Sequence, residues 1–438
     1  MKNITKVMVV LVCLGFLGSS IALGAEFTKF KGASIRMGAW ETGGSRAVIS
    51  LLPEFEKLTG IKVKMELMGD PVLQEKQYVD LVSGTAYYDI INMHYWYVTQ
   101  YAEANLIENL EPYLKDKMWE GYLDLADMLE APLDMGIARG GDRYTFPLYQ
   151  HAGCTMYRKD LFSQFGIEVP KTMFDLSETA RKLTLDNDGD GNIDIYGIAM
   201  RGISGSENPH MYWGWLSGWD GYVIDQETYR PTVNSPQAVI ALATYTDLLR
   251  HYGPPGASTW HYPPVEQIFE SLKCAMILDA TDFFPRIEAQ DTSHGKTGYA
   301  LLPLTPLGKR PNFAYSAQLG INSDSKYKDA AWAFMQWQLS PQIQLRTALI
   351  GIRGGLTSKK AWANPDYLRK YPFIPWIIEA MEISESNYIP KIAEITEIAE
   401  PVGNAFSEAI SGINTPKAAL DKAAKKIEEI LEKAGYYR

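Results

Sequence analysis

The most constraining feature of this chain is a strand, a helix and a second strand near its start. Residues 33–39 ("ASIRMGA") alternate apolar and polar side chains with the period of a strand. Residues 47–58 then place Val48, Leu51, Leu52, Phe55 and Leu58 at helical spacing. Pro53 falls inside that run, so the helix is expected to kink or to start late. "TGIKVKMEL" follows a glycine stop and reads as a second strand. Strand, helix, strand implies a parallel pair with a right-handed crossover. The pattern continues through a helix at 72–83, the strand "YDIINM" and a helix at 98–105, which gives a doubly wound α/β domain.

A second α/β region begins after "YTFPLYQ". Its helices fall near 175–183, 236–251 and 265–271, and its strands near 152–157, 196–200 and 274–279. The strand "AYSAQLGIN" and a helix at 328–339 come next. The chain closes on an amphipathic helix at 416–434, with Thr415 as cap, Pro416 first, and Leu420, Ala424, Ile427 and Leu431 as its apolar stripe. The expectation is two α/β lobes without a long linker, hinged where strands near 146–150 and 303–306 pass between them.

Composition narrows the function. The chain of 438 residues is acidic, with a formal charge of −10, and has no Lys/Arg stripe to neutralise phosphates, which argues against a nucleic-acid partner. Lys2 and Lys6 precede an uncharged run from Val7 to Ala25 that ends in small residues, with Ala22 and Gly24 in a cleavage pattern. Residues 1–24 thus read as a secretory signal peptide, with a retained membrane anchor as the alternative, and the protein as exported and soluble. Cys154 and Cys274 lie in apolar strand-like runs and read as buried free thiols rather than a disulfide.

The 11 Trp and 26 Tyr exceed the ordinary needs of a core. Several fall where ligands of open α/β sheets bind, outside the carboxyl ends of strands. Trp40 opens the loop after the first strand, and His94, Tyr95, Trp96 and Tyr97 follow the third. The second region offers "NPHMYWGWLSGWDGY" and "DATDFF". Flat aromatic faces with polar groups beside them suit sugars.

A different feature looks like a metal site. In "LTLDNDGDGNIDIYG", Asp186, Asp188, Asp190, Asn192 and Asp194 fill the early positions of an EF-hand calcium loop, with Gly191 at its turn. The closing Glu is replaced by Gly197, and a strand rather than a helix follows, so a calcium sensor is excluded. Two readings remain: an Asx-rich turn, or the same turn holding a structural calcium.

The segments "FEKLTGIKVKME", "FPLYQHAGCTMYRKDLF", "KCAMILDATDFF", "YALLPLTP" and "LGINSDSKYKDAAWAFMQWQLSPQ" resemble successive signatures of bacterial extracellular solute-binding proteins of family 1, the maltose-binding-protein-like receptors of sugar ABC transporters. The resemblance implies two α/β lobes closing on a ligand, with residues 25–147 plus 305–355 in the first and 148–304 plus 356–438 in the second. It implies a periplasmic monomer that needs no cofactor, binds a carbohydrate (an oligosaccharide by analogy) and hands it to a membrane permease without chemistry. Carried over by motif, its ligand contacts fall on Trp40, Glu41 and Ser45, and on His94, Tyr95 and Trp96 after the third strand. Tyr149, Gln150 and His151 stand at the hinge, His210 and Trp213 in the second lobe, and Asp279, Asp282 and Phe283 at its aromatic corner. Arg353 stands in the last crossover loop, "GIRGG". Two positions depart from the pattern: Arg158 replaces a common Asn, and Asp282, Phe283 and Phe284 stand where a Trp is expected. Arg353, His94, His151 and Arg46 leave room for an acidic sugar. The main alternative function is a glycoside hydrolase, which would need a pair of carboxylates such as Asp279 and Asp282.

Overall fold

In a computed structural model, which describes residues 30–115, 123–351, 355–371, 373–384 and 388–437, the opening unit forms as read. Strand β1 (Ser34–Trp40) and β2 (Lys62–Met68) pair in parallel around the helix Gly43–Thr59. That helix starts earlier than its apolar spacing indicates, because the Thr42 side chain accepts the backbone N–H of Ser45 and caps it. Gly60, at a φ of 74°, ends it in the left-handed conformation. Pro53 lies within the helix on its exposed side, so the carbonyl it leaves without a partner faces water. The expected signal peptide, residues 1–24, lies outside the described residues.

Strands β3 (Ile90–His94), β4 (Thr145–Arg158), β5 (Met276–Ala280), β6 (Thr297–Ala300) and β7 (Ala314–Ile321) complete a curled sheet. Its order is β2-β1-β3-β7-β4-β5, with β6 also on β4. Among the described strand pairs, those of β1 are parallel, while β3 with β7, and β4 with β7, β5 and β6, run antiparallel. The expected strand near 196–200 forms isolated bridges, Tyr196 to Cys274 and Ala199 to Ile277.

Two lobes meet along β4. Its first half pairs with β7 from Thr145 to Ala152, and its second half with β5 from Gly153 onward. The second crossing is not at 303–306, where Leu304 makes a single bridge to Thr172, but at Asn312 leading into β7. Asn312 ties this junction: its Oδ1 accepts from Gly153 N at 3.0 Å, and its Nδ2 donates to Ala380 O and Ser384 Oγ, both at 2.9 Å. A third segment runs alongside, where Gln150 N donates to Gly355 O at 3.0 Å and Gln150 Nε2 to Leu356 O at 2.7 Å.

Each side of the junction has its own apolar packing. Phe55, Phe146, Trp332 and Phe334 are fully buried in a core beneath β1, β3 and β7. The helix Lys328–Leu339 is buried throughout from Ala330 to Leu339, which fits a stretch in which only Gln336 and Gln338 are polar. Phe269, Tyr367 and Phe406 anchor the larger cluster, where the helix Pro416–Lys433 lays its expected stripe of Leu420, Ala424, Ile427 and Leu431. Cys154 and Cys274 are buried free thiols, with Cys274 Sγ donating to Met276 O at 3.0 Å. Burial pushes the Cys274 thiol up to about 12. No described helix is long and apolar enough to cross a membrane.

Candidate ligand-binding cleft

Because β1 and β3 are parallel neighbours, their carboxyl ends deliver Trp40 and His94 to one edge. The helix Asp70–Ser83, which follows β2, places Asp70 at the same edge. One carboxylate oxygen, Asp70 Oδ1, accepts from Trp40 Nε1 at 2.6 Å and lies 3.1 Å from His94 Nε2. His94 Nδ1 is in turn 2.6 Å from Tyr315 Oη on β7. Burial alone would raise the Asp70 carboxyl, but His94 and the Trp40 hydrogen bond outweigh it and hold the group below its ordinary value. Asp70 thus fixes the orientation of two rings at the cleft.

The rings stack on one another. His94 lies on Trp96 at 4.3 Å and 11°, and Trp96 lies on His210 at 5.6 Å and 10°. His151 lies on Tyr315 at 4.3 Å and 10°. Trp96 follows β3, and His210 stands at the start of the helix Pro209–Ser217, so the first stack spans the two sides of the junction. From the far side comes Arg201, buried, with two bonds to Asp279 at 2.5 and 3.0 Å and one to Asn208 Oδ1 at 2.8 Å. A guanidinium paired in this bidentate way is a rigid donor frame.

These groups enclose a cavity of about 770 Å³, within the size range of small-molecule sites. Of the ligand contacts expected from the sequence, Trp40, Glu41, His94, Trp96, Tyr149, His151, His210 and Asp282 line it. Five other expected contacts are held elsewhere. Ser45 is buried in the turn that caps its helix. The Tyr95 hydroxyl meets that of Tyr388 at 3.3 Å, and Gln150 spends its amide on the third crossing. Asp279 is buried behind Arg201, so it orients the lining rather than forming it. Trp213 is 1 % exposed, because the helix Pro209–Ser217 is buried along its whole length and only its first turn reaches the cavity. The Phe283 side chain and Arg353 lie outside the described residues.

Asp70, Arg201, Glu207, His261, Glu266 and Tyr315 also line the cavity and went unread in the sequence. Four of the six histidines in the chain converge there, although they are scattered along it. Burial, and then the nearby Arg201 charge, pushes His210 well below its ordinary value and His261 down to about 3. Both are held toward the neutral imidazole. Arg158, the departure from the family pattern, is structural: it is buried, with bonds to both Asp160 oxygens and to Leu272 O.

The acidic loop stands apart from this cavity. Asp186, Asp188 and Asp194 bring one carboxylate oxygen each within 4.8 Å of one another, all exposed. Asp190 turns instead to Asn192, whose Nδ2 donates to it at 2.9 Å. The loop also bonds its own backbone, since Asp186 accepts from Gly189 N and Gly191 N at 2.7 and 2.9 Å, and Asp194 from Asn187 N at 2.8 Å. Gly189 and Gly191 take φ values of 76° and 90°, which the tight turn requires.

The architecture and the cleft have counterparts. Residues 38–345 match the family described as bacterial extracellular solute-binding protein. The chain is similar to the mannitol-binding protein of Pseudomonas aeruginosa, 27% identical over 397 residues, which span 86% of this chain and 88% of that one. In three dimensions it resembles an ABC transporter solute-binding protein of Agrobacterium radiobacter K84 in complex with ribitol. That likeness has a TM-score of 0.81 at 27% identity and covers 92% of this chain and 99% of the other. It also resembles one of Agrobacterium vitis S4 with bound D-mannitol, at a TM-score of 0.78 and 26% identity, covering 93% and 100%. These are binding proteins rather than enzymes, and with the family match spanning well over half of its length this chain belongs to the bacterial extracellular solute-binding proteins.

Proposed function

We propose that this protein is the extracytoplasmic receptor of an ABC importer and that its solute is a linear polyol of the size of ribitol or mannitol. The observation that carries this reading is the mutual stacking of the cleft aromatics. Trp96 has His94 on one side and His210 in contact with it, and Tyr315 is covered by His151. An oligosaccharide presents flat apolar ring faces and calls for open aromatic faces to receive them. A linear polyol presents hydroxyls along its length and calls for hydrogen-bonding groups. Asp70, Arg201, Glu207, His261 and Glu266 supply these among the lining residues. Relatives that bind mannitol and ribitol support the same choice over the oligosaccharide expected from the sequence.

In this reading residues 1–24 are a signal peptide that is removed on export, and the receptor works as a monomer. The first lobe runs from residue 25 into the first half of β4 and again from Asn312 to 355, and the second lobe holds the rest of the exported chain. Hydroxyls bridge groups carried by both lobes, so the ligand favours the closed form by contacts absent from the open one. The closed form is the one a permease reads.

Titration calorimetry of the purified protein with ribitol, D-mannitol, D-sorbitol, maltose and maltotriose tests the reading. Saturable heat with at least one polyol and none with maltotriose is expected. Tight binding of maltotriose with silent polyols would overturn it.

A further inference from the structure

The charge of the cleft goes beyond what a neutral polyol needs. Three arginines line it, and each already faces a carboxylate: Arg46 meets Glu41 at 2.5 Å, Arg201 meets Asp279 at 2.5 Å, and Arg286 meets Glu266 at 2.9 Å. Among the described residues no lysine lines the cavity. Glu207, Glu270 and Asp282 line it as well, and among the described residues none of their side chains makes a hydrogen bond or ion pair, although Glu270 also feels the Arg286 charge. The lining therefore carries carboxylates in excess of its guanidiniums.

Glu266, 7 % exposed, registers that excess. Burial pushes its carboxyl up to about 8 against the pull of Arg286, and Glu270 and Asp282 add to the rise. An independent feature of the same cavity points to a missing polar partner. His210 lines it at 5 % exposure, and among the described residues neither of its ring nitrogens has a hydrogen-bond partner. A polar ring left this way at a cavity wall retains the capacity to bond a ligand.

We infer that the solute carries an amine, as an amino-substituted polyol or amino sugar whose ammonium seats against Glu270 and Asp282 while His210 bonds a neighbouring hydroxyl. The inference rests on the polyol reading and specifies its substrate class. It reverses the acidic-sugar option left open by the sequence, since a carboxylate here would meet uncompensated like charge. The ammonium brings the charge that the cleft lacks.

Three probes on one carbon skeleton separate the outcomes: D-glucamine (1-amino-1-deoxy-D-sorbitol), D-sorbitol and D-gluconate, titrated calorimetrically at neutral pH and low salt. We expect D-glucamine to bind about tenfold tighter than D-sorbitol or better, worth about 1.4 kcal/mol, with D-gluconate weakest. Glu270→Gln and Asp282→Asn, made separately, should each narrow the ratio of the first two affinities. D-sorbitol binding as tightly as D-glucamine would overturn the amine and leave the polyol reading standing. Silence of all three, together with ribitol and D-mannitol, would overturn both.

Discussion

Asp70 shows how much of the cleft depends on one residue that touches two rings. Its Oδ1 receives the Trp40 indole and faces His94, so removing the carboxylate frees both rings and leaves a buried N–H unpaired. Asp70→Ala should weaken ligand binding at least tenfold, about 1.4 kcal/mol, in calorimetry. Because the folded carboxyl is held below its ordinary value, its contribution to stability is present above the ordinary carboxylate range. That contribution is lost as pH falls through the folded value. Glu266 has the opposite sign: with its folded value raised to about 8, the chain pays increasingly for ionising it as pH rises from about 4.3. Glu266→Gln should therefore flatten the fall in melting temperature between those two pH values; an unchanged slope would clear Glu266 of the effect. At this scale the sequence was readable where a side chain sits at the end of a parallel strand, as for Trp40, His94 and Trp96. It was not readable for Asp70, Arg201 or Tyr315, because their places depend on how separate elements pack. Even so, "GDP" at 69–71 marks a helix start just after β2, and the strand-end rule applied there would have found Asp70.

Two elements changed meaning once packed. The helix Pro209–Ser217 carries a Trp-rich sequence that suits a sugar platform, yet every residue in it is buried. Its length lies inside the second lobe, and His210 in the first turn is what it gives to the cleft. Trp213→Ala should accordingly lower unfolding free energy by about 3–5 kcal/mol, as for other buried Trp truncations. Denaturant unfolding measures this directly, and a stable variant with weak ligand binding would return Trp213 to the site. The acidic loop is legible as a turn from its spacing alone, since Asp and Gly at alternate positions allow carboxylates to bond the backbone ahead of them. Asp186 accepts two such bonds. Asp186→Ala should lower the melting temperature even in excess chelator, which separates the turn's own contribution from any calcium it holds.

Across the whole molecule, the two lobes meet where three segments pass side by side. A helix-and-strand pattern indicates two α/β regions, but it says little about which backbone links them. The second crossing was expected at 303–306 and lies instead at Asn312, because the tie there is a side chain bonding to distant backbone, with no periodic signature. Gly355 belongs to the third crossing, and a Cβ on it would stand 1.8 Å from Gln150 O. No side chain fits that contact, so Gly355→Ala must separate the third segment from β4 and break the Gln150–Gly355 bond. Neither residue lines the cavity. Loss of affinity in this variant would therefore act through the geometry of closure rather than through contact with solute. We expect about tenfold weaker polyol binding with folded secondary structure by circular dichroism, and small-angle scattering that no longer contracts on adding ligand. Full affinity together with an unchanged contraction would show that the third crossing bears no part of the hinge.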